Sequence, residues 1–244
     1  MVNDTHSRFV TVNESLQSTI YLPSLFGLLD FLRENYGNAN LCKISSKPNK
    51  DGKYIVDCND SLTVTNRECV SLTNNYFIFG TVTGHFNCSY CKNLTSFEGA
   101  PEKVGMDFAC YHCLKLTSLK GGPTEVLGDF SCCYCPGLTS LKGAPEKVGG
   151  HFFCYQCNRL KTLEGAPEKV GMNFACCHCP KLTSLEGGPI YVEGNFDCSS
   201  CPKLTSPKGA PKYVKGYFYS IDNKNISIES IKKISSVGEQ IIIS

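Results

Sequence analysis

The chain has no apolar run approaching the roughly 18 residues of a membrane-spanning helix, so no such span and no membrane partner is expected. It has no dominant charge either. Lys plus Arg number 24 against 22 Asp plus Glu, and a net charge of +2 lacks the basic bias of a typical nucleic-acid binder. The opening residues Met1-Val2-Asn3-Asp4 are not a basic stretch leading into an apolar one. That argues against a secretory signal and for a reducing, cytoplasmic setting. Tryptophan is absent and methionine numbers 3, and neither scarcity excludes a fold. Hydrophobic residues make up 41% of the chain, which excludes wholesale disorder. What is abundant is cysteine, 17 in 244 residues. In a reducing compartment these are read first as thiols or metal ligands rather than disulfides.

Internal periodicity sets the architecture. Phe86, Phe108, Phe130, Phe152, Phe174, Phe196 and Phe218 recur every 22 residues. Two residues after each stands Cys88, Cys110, Cys132, Cys154, Cys176, Cys198 and finally Ser220. Five residues after each stands Cys91, Cys113, Cys135, Cys157, Cys179, Cys201 and finally Asn223. A leucine follows (Leu94 to Leu204, then Ile226), then a Gly-Ala-Pro or Gly-Gly-Pro turn, then a valine (Val104 to Val214) that closes the unit. Worn copies flank the clean ones. Stepping back 22 residues aligns Val64, Asn66, Cys69 and Leu72, and stepping forward with one inserted residue aligns Val237, Ile241 and Ile243. The array thus covers residues 62–244.

Phe-x-Cys alternates with period two, so it reads as a short strand with Phe and Cys inward. Twenty-two residues leave no room for a long return helix. The return path is expected to be extended or a single 3₁₀ turn, with strands of successive coils stacked in parallel about 4.8 Å apart. The fold class is therefore mainly β: a parallel β solenoid of about nine coils with a small α/β cap at residues 1–61.

The pattern Val-x-x-x-Phe-x-Cys-x-x-Cys-x-x-Leu-Thr-Ser-Leu resembles the leucine-rich repeat. More narrowly, Leu-Glu-Gly-Ala-Pro-Glu-Lys-Val-Gly-Gly looks like repeats in proteins encoded by bacteriophages and some large viruses. The resemblance implies that Cys113 and its equivalents point inward and hydrogen-bond the backbone of neighbouring coils as a ladder, a role that Asn223 can also fill. It also implies a viral factor that binds or inhibits a host protein in the host cytoplasm.

Cys-x-x-Cys pairs also suit zinc, with Cys88, Cys91, Cys110 and Cys113 as a four-thiol set. Asn223 at the ladder position, and Asn66 at the strand position beside Cys69, break four-thiol sets and favour the core ladder instead, so no cofactor is expected and zinc remains the alternative. Cys133 and Cys177, at the third position after Phe, are expected to point outward as exposed or half-covered thiols. Cys42 and Cys58 lie outside the array and receive no role.

Positions that vary between repeats should lie on the outer face, free of core duty. They gather Tyr90, Tyr111, His112, Tyr134, His151, Phe153, Tyr155 and His178, an aromatic and histidine cluster that suits a protein partner. His112 and His178 each neighbour a cysteine, the raw material of a thiol nucleophile. Adjacent strand residues diverge, however, and no orienting group stands out, so no enzyme and no catalytic residue is expected. The competing role is structural, as a virion or assembly component. In the N-terminal segment, Ser24 to Gly37 reads as a capped helix with a Leu25, Leu28, Leu29 and Leu32 stripe. Phe9–Val12 and Tyr54–Asp57 read as strands. The helix either covers the open edge of the first coil or serves as a docking element.

Overall fold

A strand of only two residues is the element on which the fold is built. The computed structural model describes residues 9–11, 19–21, 25–72 and 76–243. Each coil contributes one strand beginning at its Phe, such as Phe108–Ala109, Phe130–Ser131 and Phe152–Phe153. These pair in parallel with Phe opposite Phe. Each coil also contributes a second strand ending at its Val, such as Lys103–Val104 and Lys147–Val148, which stacks into a second sheet. Two ten-stranded sheets result, and nine strands of the Phe sheet run parallel, eight turns end to end. The second sheet was not foreseen. Its strands carry one inward residue each, Val104 or its counterparts, too few to show a period of two.

The core is a set of columns running through the array. Phe86, Phe108, Phe130, Phe152, Phe174, Phe196 and Phe218 are all fully buried. Their rings stack at centroid separations of 5.0 to 5.5 Å. Phe97 replaces the leucine of other coils and packs edge-on against Phe108 at 5.1 Å. The cysteine columns are equally buried. The thiol of each second cysteine donates to the carbonyl of the first cysteine one coil back. Cys113 reaches Cys88 O at 3.3 Å, Cys135 reaches Cys110 O at 3.2 Å and Cys157 reaches Cys132 O at 3.2 Å. Cys179 and Cys201 continue the series at 3.5 and 3.4 Å. Asn223 Nδ2 takes the same place at the end, donating to Cys198 O at 2.8 Å. No backbone N–H among the described residues takes these carbonyls, so the thiol meets a need that a buried C=O always has.

A second ladder runs along the outer column just before each Phe, a column that the sequence presents as unconstrained. There a side chain accepts from the backbone N–H of its own counterpart in the next coil. Ser61 Oγ accepts from His85 N at 3.0 Å, Asp107 Oδ1 from Asp129 N at 2.8 Å and Asp129 Oδ1 from His151 N at 2.7 Å. His151 Nδ1, Asn173 Oδ1 and Asn195 Oδ1 extend it to Tyr217 N, at 3.1, 2.8 and 2.9 Å. The ladder is coupled to the residue preceding each donor. After Asp107, Asp129, Asn173 and Asn195 the next coil supplies Gly128, Gly150, Gly194 and Gly216, where a Cβ would overlap the accepting oxygen. After His85 and His151 the next coil supplies Met106 and Met172.

The worn ends depart from the 22-residue step. Leu62, not Val64, pairs with Phe86, so the first coil is two residues longer in its strand. At the other end Val237 and Ile241 pair with Val214 and Phe218, one residue beyond the regular step. A helix not foreseen, α2 (Ile228–Lys232), fills that last coil, closed by a Ser227–Ser230 capping box.

The helix α1 spans Leu25–Asn35 and buries Leu28 and Leu32. Ser24 and Val12 lie outside the described residues. Gly37 does not end the helix. It belongs to the strand Tyr36–Gly37, antiparallel to Leu62–Val64. Tyr36 is buried there, and its hydroxyl donates to Leu72 O at 2.8 Å. On the second sheet Cys42–Ile44 runs antiparallel to Tyr54–Cys58. Both sheets thus end in antiparallel strands laid over the first coil. Cys42 and Cys58 sit directly opposite one another and form a disulfide, which corrects the reading of every cysteine as a thiol or ligand.

Two predictions follow from the ladders. Gly194→Met should destabilise the protein by about 1–3 kcal/mol through overlap with Asn173. Adding Asn173→His should restore much of the loss, read as the urea midpoint of the double variant. Buried thiols give an alkaline limit. Burial pushes Cys201 up to about 11 and Cys157 up to about 12. The unfolded chain therefore loses these protons first, and stability present below pH ~9 declines as pH rises through the folded values. Urea titrations from pH 8 to pH 11 should show this fall, and Cys157→Asn should make it shallower while keeping a donor for Cys132 O.

Candidate interaction face

Each coil turns twice through the left-handed backbone region. At one corner the residue is always glycine: Gly99, Gly121, Gly143, Gly165, Gly187 and Gly209, with φ of 77° to 95°. A Cβ at Gly121 would meet the Glu98 backbone at 2.6 Å, so the corner is closed to larger residues. At the other corner the residue is never glycine. Tyr90, His112, Tyr134, Gln156, His178, Ser200 and Asp222 hold φ of 53° to 63°. An L-residue in this conformation costs about 1–2 kcal/mol, and Asn or Gly would relieve most of it.

These corner residues form a column down one side of the solenoid. Tyr90 stacks on His112 at 5.1 Å and 6°, and His112 on Tyr134 at 4.5 Å and 14°. Tyr111 meets Tyr90 edge-on at 5.3 Å, and Tyr155 meets Tyr134 at 5.6 Å. Phe153 lies 6.1 Å from Tyr155, and His151 stacks on Phe153 at 5.0 Å. Seven of the eight residues named from the sequence are thus linked ring to ring. The eighth, His178, lines an open cleft of about 400 Å³ together with Tyr134, Gln156, Asn158, Pro180, Ser200 and Pro202. Tyr90 is 50% exposed and Tyr134 37%, whereas Tyr111, His151, Phe153 and Tyr155 are half-buried. His151 is not free of structural duty, since its Nδ1 accepts from Asn173 N, which places its proton on Nε2.

Of the two cysteines beside this face, one departs from expectation. Cys133 is buried rather than exposed, 1% accessible and in contact with Ser131 Oγ at 3.5 Å. Its thiol is pushed up to about 11, chiefly by burial. The Tyr155 phenol beside it rises to about 12, first through the charge Cys133 would carry and then through partial burial. Cys177 is half-buried, and burial followed by Asp197 raises it to about 12. Burial thus favours the neutral thiol at both positions. Cys113 points inward to Cys88 O while His112 stacks outside, so that pair diverges. In the set Cys88, Cys91, Cys110 and Cys113, the Cys110 thiol donates to Ser131 O at 3.0 Å and that of Cys91 points to Asn66 O at 4.0 Å. Among the described residues no three His, Cys, Asp or Glu side chains converge to hold a metal ion. No described helix is long and apolar enough to cross a membrane.

No family model, curated protein or solved structure matches the chain. What stands of the resemblance is a repeat-built parallel β solenoid with 22-residue turns.

The thiol values give a labelling prediction. Iodoacetamide should modify Cys177 in the folded protein slowly at pH 8. The rate should climb steeply toward pH 12 as the thiolate forms, read by peptide mass mapping. The buried ladder thiols should label only after unfolding.

Proposed function

We propose that the protein is a non-enzymatic repeat scaffold that binds another protein through the face centred on Tyr90, His112, Tyr134 and His178. The observation that carries this reading is the contrast between the two left-handed corners. Where backbone freedom alone matters the chain uses glycine six times over. At the open corner it holds Tyr, His, Tyr, Gln and His in the same strained conformation, coil after coil. Strain retained in series at a surface marks side chains kept for contact rather than for folding. Large amphipathic rings in mutual contact lose little side-chain entropy on binding and suit the anchors of a protein interface. Fifteen free cysteines favour a thiol-preserving, cytoplasmic setting, against which the single Cys42–Cys58 disulfide counts. The resemblance of Leu-Glu-Gly-Ala-Pro-Glu-Lys-Val-Gly-Gly to viral repeats, read from the sequence alone, would make a host protein the partner to look for, with inhibition or adaptation as its effect.

The test exploits the strain. Tyr90→Asn with Tyr134→Asn removes two anchors and relaxes two left-handed residues, so thermal stability should be unchanged or raised. Affinity capture from host-cell lysate should recover a partner with the wild type and lose it with this variant. A partner retained equally by both proteins overturns the assignment of this face.

A further inference from the structure

The ring stack of Tyr90, His112 and Tyr134 stops at Tyr134 because the next corner residue is Gln156. The cleft opens at that point and runs along the corner to Ser200. Three coil steps make it about 14 Å long, the length of about four extended residues. One wall is Asn158, Pro180 and Pro202. The next residue in each of these coils is Arg159, Lys181 and Lys203, all exposed.

Charge distinguishes this edge from the far one. On the far edge lysines pair with glutamates across coils: Lys120 with Glu98 at 3.2 Å, Lys142 with Glu164 at 3.0 Å and Lys208 with Glu186 at 2.9 Å. Arg159, Lys181 and Lys203 have no ion-pair partner among the described residues. The equivalent segments 153–163, 175–185 and 197–207, which form this corner, contain a single acidic residue, Asp197, whose Oδ1 accepts from Ser199 N at 2.9 Å. Asp222, which accepts from the Ser200 hydroxyl at 3.2 Å, bounds the basic run at one end.

We propose that this cleft takes an acidic, extended segment of a protein partner, with Arg159, Lys181 and Lys203 meeting its carboxylates. The proposal rests on the protein-binding reading above and names the chemistry of the partner. Gln156, Asn158 and Ser200 supply amide and hydroxyl groups for a peptide backbone, and Tyr134 supplies an apolar floor. Complementary charge at the rim steers the encounter and rejects basic partners. Single-stranded nucleic acid fits less well. It needs free ring faces for its bases, and here Tyr90, His112 and Tyr134 cover one another at 6° and 14°.

The full chain is titrated against a fluorescein-labelled peptide of six Glu-Ser repeats, its Lys-Ser counterpart and a dT 12-mer, by fluorescence anisotropy. The Glu-Ser peptide should bind, and more weakly as salt rises, while the Lys-Ser peptide should not. The triple variant Arg159→Glu, Lys181→Glu, Lys203→Glu should weaken it about tenfold or more with an unchanged thermal midpoint. The variant Lys120→Glu, Lys142→Glu, Lys208→Glu changes net charge equally and should bind like wild type. No binding of the acidic peptide, equal loss in both triple variants, or tighter binding of the dT 12-mer overturns the proposal. Capture from lysate separates it from the reading beneath it. A partner lost with Tyr90→Asn and Tyr134→Asn but kept by the Arg159, Lys181 and Lys203 variant leaves the face standing and removes the acidic segment. A partner indifferent to both sets removes both.

Discussion

A buried carbonyl must be paired, and in this protein a cysteine thiol one coil away does the pairing. That bond constrains the cross-section. A 22-residue coil closes around a seam wide enough for a Phe, two Leu, a Val and two small side chains. The group that reaches the carbonyl must be compact, buried without penalty and able to donate. Cysteine meets all three requirements, and free cysteine is among the most often buried residue types. Asparagine meets them once, at Asn223, where Ser220 Oγ and Cys201 N complete its hydrogen bonding. Because each bond joins equivalent positions, every coil must place its atoms as its neighbour does, and the Phe column inherits its regular stacking from that demand.

Repetition made much of this legible. Twenty-two-residue recurrence of Phe, Cys and Leu predicted the solenoid, the inward first cysteine of each pair and the one-residue insertion before Val237, while the inward second cysteine was what the resemblance to leucine-rich repeats implied. Seven of the eight face residues lie ring to ring, since a fixed period converts sequence alignment into spatial stacking. What escaped was information that a single coil does not carry. The Val strands are too short for alternation to show. The column of His85, Asp107, Asp129, His151, Asn173 and Asn195 looked variable because Asp, Asn and His share no bulk or charge. They share a short-range acceptor. Cys133 was misplaced because the third position after Phe lies beyond the two-residue strand, in the turn that leads to the left-handed Tyr134, where strand alternation no longer decides which way a side chain faces. Gly37 and the disulfide of Cys42 with Cys58 depend on antiparallel pairing at the end of the array, which no repeat encodes.

The corner shows how a repeat fold can separate function from stability. Core columns tolerate few residues, and the glycine corner tolerates one. The opposite corner is sterically open, so its seven positions can differ freely at the cost of a strained backbone. Ring stacking from Tyr90 through Tyr134 offsets part of that strain and makes the rings a single rigid body rather than three independent side chains. Rigidity in the unbound state lowers the entropy lost on association.

The pairing of Asp or Asn with a following Gly, and of His with a following Met, has a consequence for how such an array can change length. Each acceptor and the residue it requires lie at the two ends of one 22-residue block, as Asp107 and Gly128 do, or His151 and Met172. A block excised or duplicated at those ends carries its own compatibility with it. A break made elsewhere in the coil can set a Met against an Asp from another block, and the oxygen and the side chain would then claim the same space. The protein can therefore gain or lose whole coils at one junction per turn with little penalty, while its overall length remains quantised in units that fit any neighbour.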